Sequence, residues 1–93
     1  MGGLSQYARR VDKDSKVLRD RARQQGVLCL PVNGVFDDLW YVGSRLVMVD
    51  YKTPKTGRKT AKQAELDADG WPIRYVATPA DVDTIIRDAR RHV

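Results

Sequence analysis

Cysteine is nearly missing from this chain. Cys29 is the only one in 93 residues, so neither a disulfide framework nor a cysteine-based zinc site can form within one copy. It sits in the apolar run VLCLPV, surroundings that suit a small buried hydrophobe rather than a nucleophile or ligand. Histidine is as scarce, and the lone His92, one residue from the end of the chain, reads as solvated. Long apolar stretches are absent too. No run exceeds four or five residues, too short for a membrane span or for the core of a secretory signal. MGGLSQYARR has Gln6 where a myristoylation site needs Ser or Thr. A cytoplasmic protein without a membrane partner is expected. Acidic charge is in deficit: 12 Asp and Glu against 17 Lys and Arg leave a net charge of +5 and a pI near 9.7, which favours a polyanionic partner.

What is present reads as one small globular domain over residues 1–93, with residues 1–5 expected to be flexible. A content of 42% hydrophobic and 31% charged residues, with Leu, Val and Ile spread along the length, sets intrinsic disorder aside. Burial at this size leaves a thin stability margin, so a homodimer is a standing expectation.

Between Leu4 and Gln25, apolar or small residues recur at Leu4, Tyr7, Ala8, Val11, Leu18 and Ala22, which is helical spacing, and Gly26 ends it. Asp14 or Ser15 could cap a second helix beginning at Lys16. Residues 27–32 form a short apolar run with Pro31 inside, as an outer strand allows. DDLWYV and RLVMVDYK, joined by Gly43 and Ser44, predict a β-hairpin with a two-residue turn. Thr60 and Gln63 have capping-box spacing and open a helix that Gly70 closes. WPIRYVA predicts a strand. Thr78-Pro79-Ala80-Asp81 then starts a last helix with Val82, Ile85, Ile86 and Ala89 as its buried stripe. The order is helix, three strands, helix, strand, helix: an α/β fold with a small mixed sheet flanked by helices, in which a right-handed crossover makes the fourth strand parallel to the third.

Asp50 and Lys52 are two apart on a strand, so both leave the same face with Cα atoms about 6.6 Å apart. The hairpin turn pairs Val42 with Arg45, Tyr41 with Leu46, Trp40 with Val47, Leu39 with Met48, and Asp37 with Asp50. Two opposed carboxylates repel unless a cation sits between them. A three-residue loop would instead put Asp38 in the place of Asp37. Carboxylate oxygens, a main-chain carbonyl and water suit Mg²⁺ or Mn²⁺. Gln63 has two readings, as the third residue of a capping box and as a site residue. Tyr41, Trp40 and Trp71 read as core or interface aromatics.

GVFDDLWYV, LVMVDYK and TAKQ, in this order of elements, resemble the PD-(D/E)XK nuclease superfamily over roughly residues 11–87. The likeness is greatest to its VRR-NUC, Holliday-junction-resolvase-like branch. The resemblance implies a restriction-endonuclease-like αβββαβ(α) core. It implies a Mg²⁺- or Mn²⁺-dependent endodeoxyribonuclease acting on duplex, branched, junction or flap DNA, homodimeric, in a bacterial or phage-infected cytoplasm. Asp37, with Asp38 as the register alternative, matches the family's first metal-binding acid. Asp50 matches the second and Tyr51 the residue lending its main-chain carbonyl to the metal. Lys52 matches the lysine that positions or activates the attacking water, and Gln63 matches the glutamine that holds the site. Phe36 stands where the family's proline usually precedes the first acid, and no glutamate occurs before Glu65, although the family carries one in its first helix. Asp14, three residues after Val11 and four before Leu18, is the nearest substitute.

Cations flank the motif. Arg9, Arg10, Lys13, Lys16, Arg19, Arg21 and Arg23 precede it, and Lys55, Arg58, Lys59 and Lys62 follow it as expected phosphate contacts. A nucleic-acid-binding domain of the same fold with impaired catalysis is the alternative, and a structural or assembly protein the third.

Overall fold

A computed structural model describes residues 15–54 and 57–91. Helix α1 covers residues 15–24, and β1 Leu28–Pro31, β2 Asp38–Val42 and β3 Arg45–Tyr51 follow. Then come α2 Ala61–Asp69, β4 Ile73–Val76 and α3 Pro79–Arg91. The strands lie in the order β1-β2-β3-β4; β1 with β2 and β2 with β3 pair antiparallel, and β4 is parallel to β3. The fold is therefore α/β with a four-stranded mixed sheet and helices against it. The N-terminal part of the first expected helix, including Asp14, lies outside the described residues.

Local chemistry accounts for the boundaries. Gly43 and Ser44 have φ of 59° and 65°, the pair of positive angles a type I′ turn needs. That turn sets the β2–β3 register from Val42 opposite Arg45 to Asp38 opposite Val49, the one the two-residue loop predicts. A side chain at position 43 would also meet α3, since its Cβ would stand 2.8 Å from the Ala89 carbonyl oxygen. Thr60 caps α2 and forms the expected box with Gln63, and Gly70, at φ 101°, closes it. A second reciprocal cap opens α3. Asp81 accepts from the N–H groups of Ala77 and Thr78, at 2.9 and 3.0 Å, and its own N–H donates to Thr78 Oγ1 at 3.2 Å. β4 is shorter than the expected 71–77, because Pro72 has no N–H for a ladder and Ala77 is already engaged by Asp81.

One face of the sheet carries the core. Leu18 and Ala22 of α1 and Val82, Ile85, Ile86 and Ala89 of α3 pack on Trp40, Val42, Val49 and Val76. Trp40 is thus a core residue, whereas Tyr41 and Trp71 are exposed. The opposite face is less covered: Leu28, Leu30, Tyr41 and Leu46 stand exposed along β1 to β3. The outer edge of β1 is blunted, since Pro31 has no N–H and Arg23 Nη2 donates to the Cys29 carbonyl at 3.0 Å. Cys29 is half-buried, and burial pushes its thiol up to about 11, far from a nucleophile's range. No described helix is long and apolar enough to cross a membrane.

Candidate active site

Asp37 ends the loop before β2, and its main chain is held on both sides. Its N–H donates to the Val49 carbonyl at 3.0 Å, and its own carbonyl accepts from Val32 at 2.8 Å and Asn33 at 3.2 Å. With Asp38 opposite Val49, this places Asp37 across from Asp50, where alternation sends both side chains to the face opposite the core. Asp37 Oδ2 accepts the Tyr51 N–H at 2.9 Å. Asp50 is 5% exposed, and its Oδ2 lies 2.7 Å from Lys52 Nζ.

Lys52 has a second partner, donating to Gln63 Oε1 at 2.9 Å. Gln63, 2% exposed, joins three segments: its Oε1 also accepts the Thr60 N–H at 3.0 Å, and its Nε2 donates to the Val35 carbonyl at 2.7 Å. Both readings of Gln63 hold in the same side chain. One oxygen completes the α2 cap and orients Lys52, and the amide ties α2 to the loop that delivers Asp37.

Electrostatics set Asp37 apart from an ordinary surface carboxylate. Burial raises the Asp37 carboxyl above its usual value; the Tyr51 N–H pulls it down, and the charge and hydrogen bonding of Asp50 push it up again. Asp37 and Asp50 stand opposite each other as like charges, and the Lys52 ammonium, 2.7 Å from Asp50, offsets part of that repulsion. Tyr51 directs its N–H toward β2, and an extended residue sends its carbonyl to the same side, whereas Lys52 turns its N–H to Val76 of β4 at 2.8 Å. The Tyr51 carbonyl therefore leaves on the Asp37 side. Among the described residues no group of three or more His, Cys, Asp or Glu could hold a metal. Two carboxylates and a carbonyl make an all-oxygen set, which fits a hard divalent ion that keeps several waters and does not fit structural zinc.

Asp38 does not replace Asp37. It faces the core, fully buried, with Arg19 Nε and Nη2 on its two oxygens at 2.7 and 2.8 Å. The Tyr51 hydroxyl donates to it as well, and Trp40 Nε1 lies 3.4 Å away. The two-residue turn excludes the alternative register, since the side-chain period of two puts consecutive aspartates on opposite faces.

Arg19 itself departs from its expected place among phosphate-facing cations. The other described cations of α1 are also engaged within the chain: Lys16 with Asp20 at 2.8 Å, Arg21 with Asp83 at 2.7 Å and Arg23 with Cys29. Arg9, Arg10, Lys13 and Lys55 lie outside the described residues, as does Asp14. After the motif, Arg58 is exposed, Lys62 is 3.6 Å from Glu65, and Lys59 is 2.7 Å from Asp67.

Three residues close to this cluster escaped sequence reasoning. Tyr75 is the β4 partner of Asp50, and its ring lies 5.8 Å from Lys52 Nζ and 4.9 Å from Lys59 Nζ. Its hydroxyl, 2.9 Å from Asp67 Oδ2, is pushed up to about 12 by burial and then by that bond. Placing Tyr75 beside Asp50 needs the parallel register across a crossover, which no local spacing reports. Arg19 carried a weak signal, lying next to Leu18 on the inward-turning side of α1. Asp67 carried none.

The chain matches no protein-family profile, no curated protein and no solved structure.

Proposed function

We propose that this chain is a metal-dependent DNA endonuclease on a restriction-endonuclease-like αβββαβ core, of the PD-(D/E)XK, VRR-NUC-like kind. The supporting observation is the convergence of Asp37, Asp50, Lys52 and Gln63. A loop, a strand end and a helix start bring them together: Asp50, Lys52 and Gln63 are linked through the Lys52 ammonium, and Asp37 is held beside them by the Tyr51 N–H. Asp37, Asp50 and the Tyr51 carbonyl are the groups that would hold Mg²⁺ or Mn²⁺. Such an ion supplies a bound water of lowered pKa and charge to offset that of a phosphate.

The chain's own residues do the rest. Lys52, kept between Asp50 and Gln63, presents its ammonium to a phosphate oxygen or to the attacking water. Gln63 stops that ammonium from swinging to solvent. Arg58, Lys59 and Lys62, with Lys55 beside them in sequence, give the flanking phosphates a basic edge whose hold weakens as salt rises. Branched or junction DNA is the substrate class, met in the cytoplasm of a bacterial or phage-infected cell. A homodimer places two sites on such a substrate, and the exposed Leu28, Leu30, Tyr41 and Leu46 support self-association.

One observation favours the second reading, a nucleic-acid-binding domain without turnover: no third acid joins Asp37 and Asp50 among the described residues. Supercoiled plasmid and a four-way junction, incubated with Mg²⁺ or Mn²⁺, separate the two. The parent nicks them, and Asp50→Ala and Lys52→Ala do so about 100-fold more slowly or not at all. Salt-sensitive binding without cleavage selects the second reading. Equal cutting by parent and both variants removes the site assignment.

A further inference from the structure

Behind the candidate site, on the core face, lies a second polar cluster whose side chains have no part in the proposed chemistry. Asp38 is fully buried yet accepts from Arg19 through both oxygens, from the Tyr51 hydroxyl and from Trp40 Nε1. The Arg19 guanidinium also lies 5.5 Å from the centre of the Tyr51 ring. An ion pair this deep is weak evidence of stability, because desolvating both partners offsets much of their attraction. What it does supply is a fixed geometry.

We propose that Arg19, Asp38 and Tyr51 form a clamp that positions the proposed metal-binding pair from behind the sheet. Its path is short. The Tyr51 side chain is tied to Asp38 on the core face, and its backbone N–H is tied to Asp37 on the site face, so one residue of β3 grips two consecutive aspartates of the opposite strand. Asp37 and Asp38 are joined by a peptide bond, which closes the loop of interactions. Asp37 stands one residue outside β2, where the ladder is ending, and Tyr51 is the last residue of β3. Trp40 and Val42, both core residues, hold the middle of the hairpin, but its site end needs another anchor. Arg19 supplies it from α1, fixing Asp38 in plane with two parallel hydrogen bonds. In this chain the first helix therefore reaches the site indirectly, through a cation on the second aspartate.

These three are positioning residues, and the inference rests on the hydrolase reading for its purpose though not for its geometry. Two variants test it: Tyr51→Phe, which keeps the ring and loses the hydroxyl, and Arg19→Met, which keeps the bulk and loses the fork. Amide hydrogen exchange on the metal-free protein reads the first half. The amide of residue 51 exchanges roughly tenfold faster in both variants, the loss expected for one hydrogen bond to a carboxylate, while Ile85 and Ile86 of α3 keep the parent's rates. Mn²⁺ affinity, measured by titration calorimetry, reads the second half and drops about 10-fold or more in the same variants. Unchanged exchange at residue 51 overturns the clamp, whatever the parent does to DNA. Faster exchange with Mn²⁺ affinity equal to the parent's overturns the positioning role. A parent that binds no Mn²⁺ and cuts nothing ends the hydrolase reading and that role together, and the exchange rates still decide whether the clamp exists. Should Arg19→Met fail to fold, Tyr51→Phe decides both halves alone.

Discussion

Replacing Gln63 by alanine removes more than its size suggests. The side chain is 2% exposed and makes three hydrogen bonds, to the Thr60 N–H, the Val35 carbonyl and the Lys52 ammonium. Two of these are neutral, contributing about 0.5–1.5 kcal/mol each, and the bond to an ammonium contributes about 1.5–3 kcal/mol. Water can reach part of what is left, since Val35 is exposed and the Lys52 side chain is 17% exposed. A net loss of about 3 kcal/mol follows, against a total of about 5–14 kcal/mol for a domain of this length. At about 4–8 °C per kcal/mol for domains near this size, Tm falls by about 12–24 °C. Gln63→Glu is the control. It keeps the acceptor for Thr60 and Lys52 but turns a carboxylate oxygen toward the Val35 carbonyl, and costs about 1–3 kcal/mol. Urea unfolding of parent, Gln63→Glu and Gln63→Ala should give that order of midpoints at equal slope. A Gln63→Ala loss under about 1 kcal/mol would refute the idea that this residue joins three segments.

The hairpin turn offers a test of sign. Gly43→Ala meets both a positive φ and the Ala89 carbonyl, and should lower stability by about 1–3 kcal/mol, whereas Ser44→Gly relieves a side chain held at φ 65° and should raise it by up to about 1 kcal/mol in the same thermal melts. Asp37→Asn keeps an acceptor for the Tyr51 N–H and removes a negative charge that burial and Asp50 disfavour. Unfolding at pH 7 should show a modest gain in stability, as a site that stores like charge implies, together with loss of metal-dependent cleavage. For stability against pH, the signs divide. A carboxyl raised in the folded state, Asp37, favours folding as pH falls. Asp20, Asp67, Asp81 and Asp83 are lowered, chiefly by Lys16, Lys59, the Ala77 N–H and Arg21, with Asp83 near 2. Their contribution is present above about 3.8 and is lost as pH drops through their folded values. The urea midpoint should therefore fall between pH 4 and pH 2; a midpoint that holds steady there contradicts these pairings.

The parts of the fold legible in the sequence are those decided within a few residues. Thr60, Gln63 and Gly70 bound α2, Pro79 and the stripe from Val82 to Ala89 define α3, and Gly43-Ser44 fixes the register that opposes Asp37 to Asp50. The α/β order followed from these. Features set by docking were not legible. Arg19 could not be read as a partner of Asp38, because that pairing depends on how α1 lies on the sheet, and its charge pointed equally well to solvent or phosphate. Tyr75 joins the site only once β4 is laid parallel beside β3. The pairing of Lys59 with Asp67 was hidden in the same way, since it spans the cap and the last turn of α2. Asp50 and Lys52 were visible as a same-face pair, but the contact of Lys52 with Gln63 needed α2 folded back over the strand end.

The central claim is that Asp37 and Asp50 together hold a divalent cation, and a crystal grown with Mn²⁺ tests it most directly through anomalous scattering. The expected result is a peak bonded to both carboxylates and to the Tyr51 carbonyl, with Lys52 beside it and still held by Gln63. No peak at that position, with the Lys52 ammonium remaining paired to Asp50 at saturating Mn²⁺, would contradict it.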